Sequence, residues 1–150
     1  MQDRLPRPLV ASVAIIALII AAFASTSLPA KTVKTLLHNF RVVKLANRLE
    51  HPWSIAFTPD NGILVTERAG RLRLYRDGRL EPKPIANVPK VVDHGQGGLF
   101  DVTLHPDFSN NQLLYLAYAA RGKGGVHTRV SRYRYDAEAH TLFDEKPMFD

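Results

Sequence analysis

The chain has 150 residues, 45% hydrophobic and 23% charged, a composition that suits one buried core and excludes a disordered or fibrous polymer. It contains no cysteine, so neither a disulfide framework nor a thiolate metal site can be built. The net charge of +6 comes from Lys and Arg scattered along the chain, without the clustered stripe of a nucleic-acid binder, and reads as solvated faces.

At the N-terminus, Arg4 and Arg7 precede an uncharged apolar run from Leu9 to Ala24, the layout of an export signal. A helix over that run is roughly 24 Å long, short of a comfortable bilayer span. Ala22-Phe23-Ala24 supplies the small-x-small pattern of a signal-peptidase site, with Leu28-Pro29-Ala30 as a weaker second choice. Residues 1–24 are therefore read as a signal peptide, with an uncleaved membrane anchor as the alternative. The expected location is periplasmic or secreted. Residues 25–39 are polar and uneven, a linker to the folded part at 40–150.

From Phe40 onward the pattern is all strand. Ser54–Phe57, Ile63–Thr66, Leu72–Tyr75, Leu99–Leu104, Leu113–Tyr118 and Val130–Tyr135 are short apolar or alternating runs bounded by Gly, Pro, Asn or Asp. Asn61-Gly62 and Asp77-Gly78 read as two-residue hairpin turns, because the favoured turn needs positive φ at both central positions. Lys123, between Gly122 and Gly124-Gly125, belongs to an exposed hairpin tip. Two segments align with each other: Ser54 to Asp60 with Asp101 to Asp107, which puts Pro59 and Pro106 47 positions apart. A repeat of that length made of short antiparallel strands is the signature of a β-propeller blade. A blade cannot cover both its own faces and needs neighbours. The residues after the linker supply about two blades, so the chain is expected to be the N-terminal portion of a larger propeller or a truncated product.

Chemistry concentrates in Asp93-His94-Gly95-Gln96-Gly97-Gly98-Leu99-Phe100-Asp101, where three glycines within four positions run into an apolar strand. Such a loop brings polar side chains onto a rigid base and lets a flat ligand approach the backbone. A plain tight turn between strands is the competing reading. Other candidates are weaker. Asp93, Asp101 and Asp107 are spaced too loosely for a twelve-residue calcium loop, His51 and His105 read as turn residues, and Trp53 reads as a core aromatic.

The stretch from His94 to Phe108, together with His51-Pro52-Trp53-Ser54 through Asp60 and Leu64-Val65-Thr66-Glu67-Arg68, resembles the PQQ-dependent glucose/sorbosone dehydrogenase family of soluble aldose sugar dehydrogenases. The likeness runs from about Val43 to Tyr135. It implies a six-bladed all-β propeller, of which this chain holds about the first two blades after the signal helix. It implies PQQ and Ca²⁺ as cofactors, an aldose oxidised to its lactone, and a separate electron acceptor. Gln96 corresponds to the family's cofactor- and substrate-contacting glutamine, and His94 is a weaker ligand-binding candidate beside it. The family's general base is a His in a later N-H-F-G-like motif. No such motif occurs in these 150 residues, so no catalytic residue is assigned here, and Ca²⁺ ligands are expected elsewhere. A non-catalytic propeller piece acting as a binding module, or an inactive product, remains the alternative.

Overall fold

The computed structural model describes residues 31–150, and the signal reading of residues 1–24 lies outside them. The chain divides into two units at Lys44/Leu45. In the first, β1 (Lys31–Lys34) and β2 (Asn39–Val42) pair antiparallel, with Lys34 opposite Asn39 and Thr35 Oγ1 donating to His38 O across the turn at 2.5 Å. A hairpin thus begins inside the stretch that composition alone suggested was linker. Its side chains are almost all exposed, so backbone pairing and the turn hold it rather than burial.

The second unit holds two four-stranded antiparallel sheets. The first runs β3 (Pro52–Phe57), β4 (Ile63–Glu67), β5 (Arg71–Arg76) and β6 (Arg79–Leu80) in chain order. The second runs β7 (Leu99–Leu104), β8 (Leu113–Gly122), β9 (Gly125–Asp136) and β10 (Thr141–Phe149). One helical turn, α1 (Phe108–Asn111), lies between β7 and β8. Each sheet is an up-and-down meander of the kind that forms one propeller blade.

Alternation fixes which face of each sheet is buried. Ala56, Leu64 and Leu74 stand opposite one another across β3, β4 and β5, as do Leu104, Leu114 and Tyr133 across β7, β8 and β9. These rows meet in one core: Leu64, Leu72, Leu99, Leu114, Leu116 and Leu142 are completely buried. Each such leucine contributes about 1.5–3 kcal/mol. β3 and β4 are joined to β7 by polar links as well. Ser54 Oγ donates to Asp101, and Thr66 Oγ1 donates to Phe100 O at 2.6 Å. Ser54 and Asp101 are equivalent positions of the internal repeat, so the repeat unit bonds to its own copy.

The connection between the sheets is tied to both. Ile85 N donates to Leu72 O at 2.8 Å, while Ala86 N reaches His140 O at 2.9 Å and Ala86 O accepts from Leu142 N at 3.0 Å.

Two expectations need correction. Asp77 (φ 52) and Gly78 (φ 78) do form the two-residue turn between Arg76 and Arg79. Asn61-Gly62 does not: only Asn61 has positive φ, and the loop spans Thr58 to Gly62, closed by Thr58 N to Gly62 O at 2.9 Å. Within this loop Thr58 Oγ1 donates to Asp60 Oδ1 at 2.5 Å and Asn61 N donates to Thr58 O at 3.1 Å. Trp53 is not a core residue. It is 60% exposed, and Ile55 and Phe57 at the alternate positions of β3 are exposed as well, although the Trp53 ring meets Phe100 of β7.

Candidate functional site

The glycine-rich segment sits between the two sheets and is anchored on both sides. Val92 N donates to Ala119 O at 2.9 Å, and Ala119 N donates to Gly98 O at 2.8 Å, so β8 holds both ends of the loop. On the other side, Leu99 N donates to Arg68 O at 2.8 Å, immediately after β4 ends.

Between these anchors the chain reverses. Gly97 N donates to His94 O at 2.8 Å, closing a β-turn with Gly95 (φ 57) at its first central position and Gln96 at its second. Positive φ at the first position and negative at the second is the pattern of a type II′ turn, for which glycine is the favoured residue. The other two glycines answer to space. A Cβ on Gly98 (φ 149) would lie 2.5 Å from both the Cγ and the carbonyl oxygen of Arg68, and one on Gly97 would collide with Val92 O.

The consequence is a fixed loop with a free tip. His94 and Gln96 are exposed, and neither side chain has a hydrogen-bond partner among the described residues. Gln96 is flanked by Gly95 and Gly97, so neither neighbour contributes a side chain that would block a flat ring from the amide. Its carboxamide offers two donors and an acceptor. Trp53 and Phe100, on neighbouring inner strands, bring their rings within 5.8 Å of each other two residues along β7 from Gly98.

Charge is organised beneath this tip. Arg68 Nε meets Asp93 Oδ1 at 2.9 Å and Arg68 Nη1 reaches Gly95 O at 3.4 Å. One residue earlier, the carboxylate of Glu67 is completely buried. Its Oε2 accepts from Arg71 Nε at 2.5 Å and lies 3.5 Å from Arg73 Nη1, and its Oε1 accepts from Glu50 N at 2.6 Å. Burial pushes the Glu67 carboxyl upward, but the Arg71 guanidinium and the Glu50 amide outweigh it and hold the group below the usual range. Neither Glu67 nor Arg68 was singled out as functional by sequence. The available signal was a charged pair at the end of an apolar strand, directly before a turn.

The remaining sequence candidates fall apart from the loop. His105 Nδ1 accepts from Asp107 N at 3.0 Å, lies 2.9 Å from Asn111 Nδ2 and stacks on Tyr115, as a turn residue would. His51 (φ 47) precedes β3 and its carbonyl accepts from Arg68 N at 3.1 Å. Asp93, Asp101 and Asp107 bond to Arg68, Ser54 and Asn110 respectively. Among the described residues, no three His, Asp or Glu side chains converge on a common metal position.

A family model described as Glucose / Sorbosone dehydrogenase matches residues 49–150. The chain belongs to that family. It is 40% identical over 107 residues to the aldose sugar dehydrogenase YliI of Escherichia coli K12, covering 70% of this chain and 29% of that protein. It is 31% identical over 139 residues to quinoprotein glucose dehydrogenase B of Acinetobacter calcoaceticus, covering 86% of this chain and 29% of that one. In fold it matches an aldose sugar dehydrogenase of Streptomyces coelicolor, solved in its PQQ-bound form. There the TM-score is 0.64 and the identity 24%, over 81% of this chain and 35% of the other. The chain thus spans less than a third of the length of these two curated relatives. As a glucose/sorbosone dehydrogenase family member, it places the glycine-rich turn and Gln96 inside the matched region.

Proposed function

We propose that this chain supplies the first two blades of a six-bladed, PQQ-dependent aldose sugar dehydrogenase. Its part is to present the Gln96 amide to the quinone and the sugar. The observation that carries this reading is the clamped type II′ turn with its unpartnered Gln96, inside a segment that belongs to a family of sugar dehydrogenases. The exposed row Trp53, Ile55 and Phe57 on β3 supports further blades, since an apolar row on an inner strand is stabilised by a neighbouring sheet.

PQQ, when bound, would supply the two-electron sink that oxidation of an aldose to its lactone requires, with an external acceptor to take the electrons on. The residues of this chain bind and orient. Gln96 donates to a quinone or hydroxyl oxygen and accepts from a hydroxyl proton, and the glycines leave its approach open. His94 is the nearest imidazole to Gln96 in the turn and is the second candidate contact. The base that takes the hydroxyl proton, and the Ca²⁺ ligands, are assigned to none of the residues described here.

The test is a titration of the intact protein with PQQ in the presence of Ca²⁺, followed by dye-linked oxidation of aldoses. Saturable quinone binding and sugar-dependent dye reduction are expected. Failure to bind PQQ would sink the proposal and favour a non-catalytic propeller module.

Export to the periplasm, with cleavage after Ala24, rests on Arg4, Arg7 and the apolar run behind them. Intact-mass measurement of the exported protein should then give a chain starting at Ser25. A chain in the membrane fraction that retains Met1 would instead establish the anchor alternative.

A further inference from the structure

We infer that Arg68 is a positioning residue for Gln96, setting the orientation of the turn that carries the amide. This deepens the proposed function and rests on it for its ligand. The structural half stands by itself. Arg68 grips the loop at three places in sequence order: Asp93 before the turn, the Gly95 carbonyl within it, and Leu99 N after it, the last through its own backbone oxygen.

The middle contact carries the inference. Gly95 O belongs to the peptide unit that joins Gly95 to Gln96. A guanidinium nitrogen 3.4 Å from that oxygen biases the unit against flipping and so holds ψ of Gly95 and φ of Gln96, the two torsions that a flip would change. Glycine at Gly95 leaves the ψ that moves with this unit less restrained by a side chain of its own. Something outside the turn must choose, and the planar fork of Arg68 can do so while paired to Asp93. Gly98 completes the arrangement: its missing side chain is what lets the Arg68 backbone and Cγ lie against the loop. Arg68 is itself held, since Glu67 next to it is buried under Arg71 and Arg73 at the end of β4.

Two measurements on the intact protein decide this. Hydrogen exchange of the Gly97 amide, whose bond to His94 O closes the turn, reports the turn directly. Arg68→Ala should speed it about three- to tenfold, the worth of a part-exposed charge-assisted contact. Exchange at Leu116 in the core should be unchanged. Asp93→Asn should shift Gly97 in the same direction, and Arg68→Lys should restore it only in part because an ammonium has no planar fork. The second measurement is PQQ affinity in a double-mutant cycle. Arg68→Ala should weaken binding by a similar factor, and Gln96→Ala should add little in that background. Unchanged Gly97 exchange, or losses from the two substitutions that simply multiply, would overturn the inference. If the wild-type protein binds no quinone, the proposed function fails, and the exchange measurement still decides whether Arg68 sets the turn.

Discussion

Replacing Glu67 by Ala should lower stability by about 3 kcal/mol, the cost of breaking a buried ion pair from one side. The carboxylate is completely buried and meets Arg71, Arg73 and the Glu50 amide. Its loss leaves the Glu50 amide without its acceptor, takes a charge partner from Arg71 and Arg73, and opens a void between β4 and β5. Arg71 is partly exposed and keeps Glu50 as a partner at 2.6 Å, which places the effect at the lower end of the range for such pairs. Glu67→Gln retains an acceptor for Glu50 N and should cost less. Urea unfolding followed by circular dichroism measures both, and a loss below about 1 kcal/mol for Glu67→Ala would mean that the carboxylate is effectively solvated.

The same group sets a pH dependence. Its folded pKa is depressed by Arg71 and the Glu50 amide, net of the opposing effect of burial, so the unfolded chain binds the proton more readily. The stabilisation is therefore fully present above the ordinary value of 4.5 and is lost as pH falls through the lower folded value. The difference in stability between wild type and Glu67→Ala should shrink on acidification in that window, while above it the difference stays flat.

Much of the architecture was legible because the strands with one buried face alternate. Leu72 and Leu74 alternating with Arg71 and Arg73, and Tyr133 and Tyr135 alternating with Arg132 and Arg134, announced β5 and β9. The outer strands were not legible. β6 is only two residues long, and β10 carries Asp144, Glu145, Lys146 and Pro147 with two breaks in register, as an edge strand protected from further pairing tends to. Trp53 was misplaced because a large aromatic on a strand normally finds cover, whereas here the contact with Phe100 leaves it 60% exposed. At the site, the glycines and Gln96 were visible as a motif. Arg68 was not, because its role depends on a chain reversal 25 or more positions later that brings Asp93, Gly95 and Leu99 to its side.

The second large effect concerns Gln96, the residue on which the functional account turns. Its side chain has no hydrogen-bond partner among the described residues, so removing it should cost the fold almost nothing, whereas under the proposed function an amide that bonds quinone and sugar would be worth about tenfold or more in turnover. His105 offers the contrast: bonded to the Asp107 amide, close to Asn111 and stacked on Tyr115, it should act through stability and leave the turnover of folded protein near wild type. Dye-linked aldose oxidation by Gln96→Ala in the intact protein, with its melting temperature measured alongside, is the most direct test. The account predicts turnover reduced about tenfold or more with an unchanged melting temperature. Wild-type turnover and wild-type PQQ affinity in Gln96→Ala would contradict it.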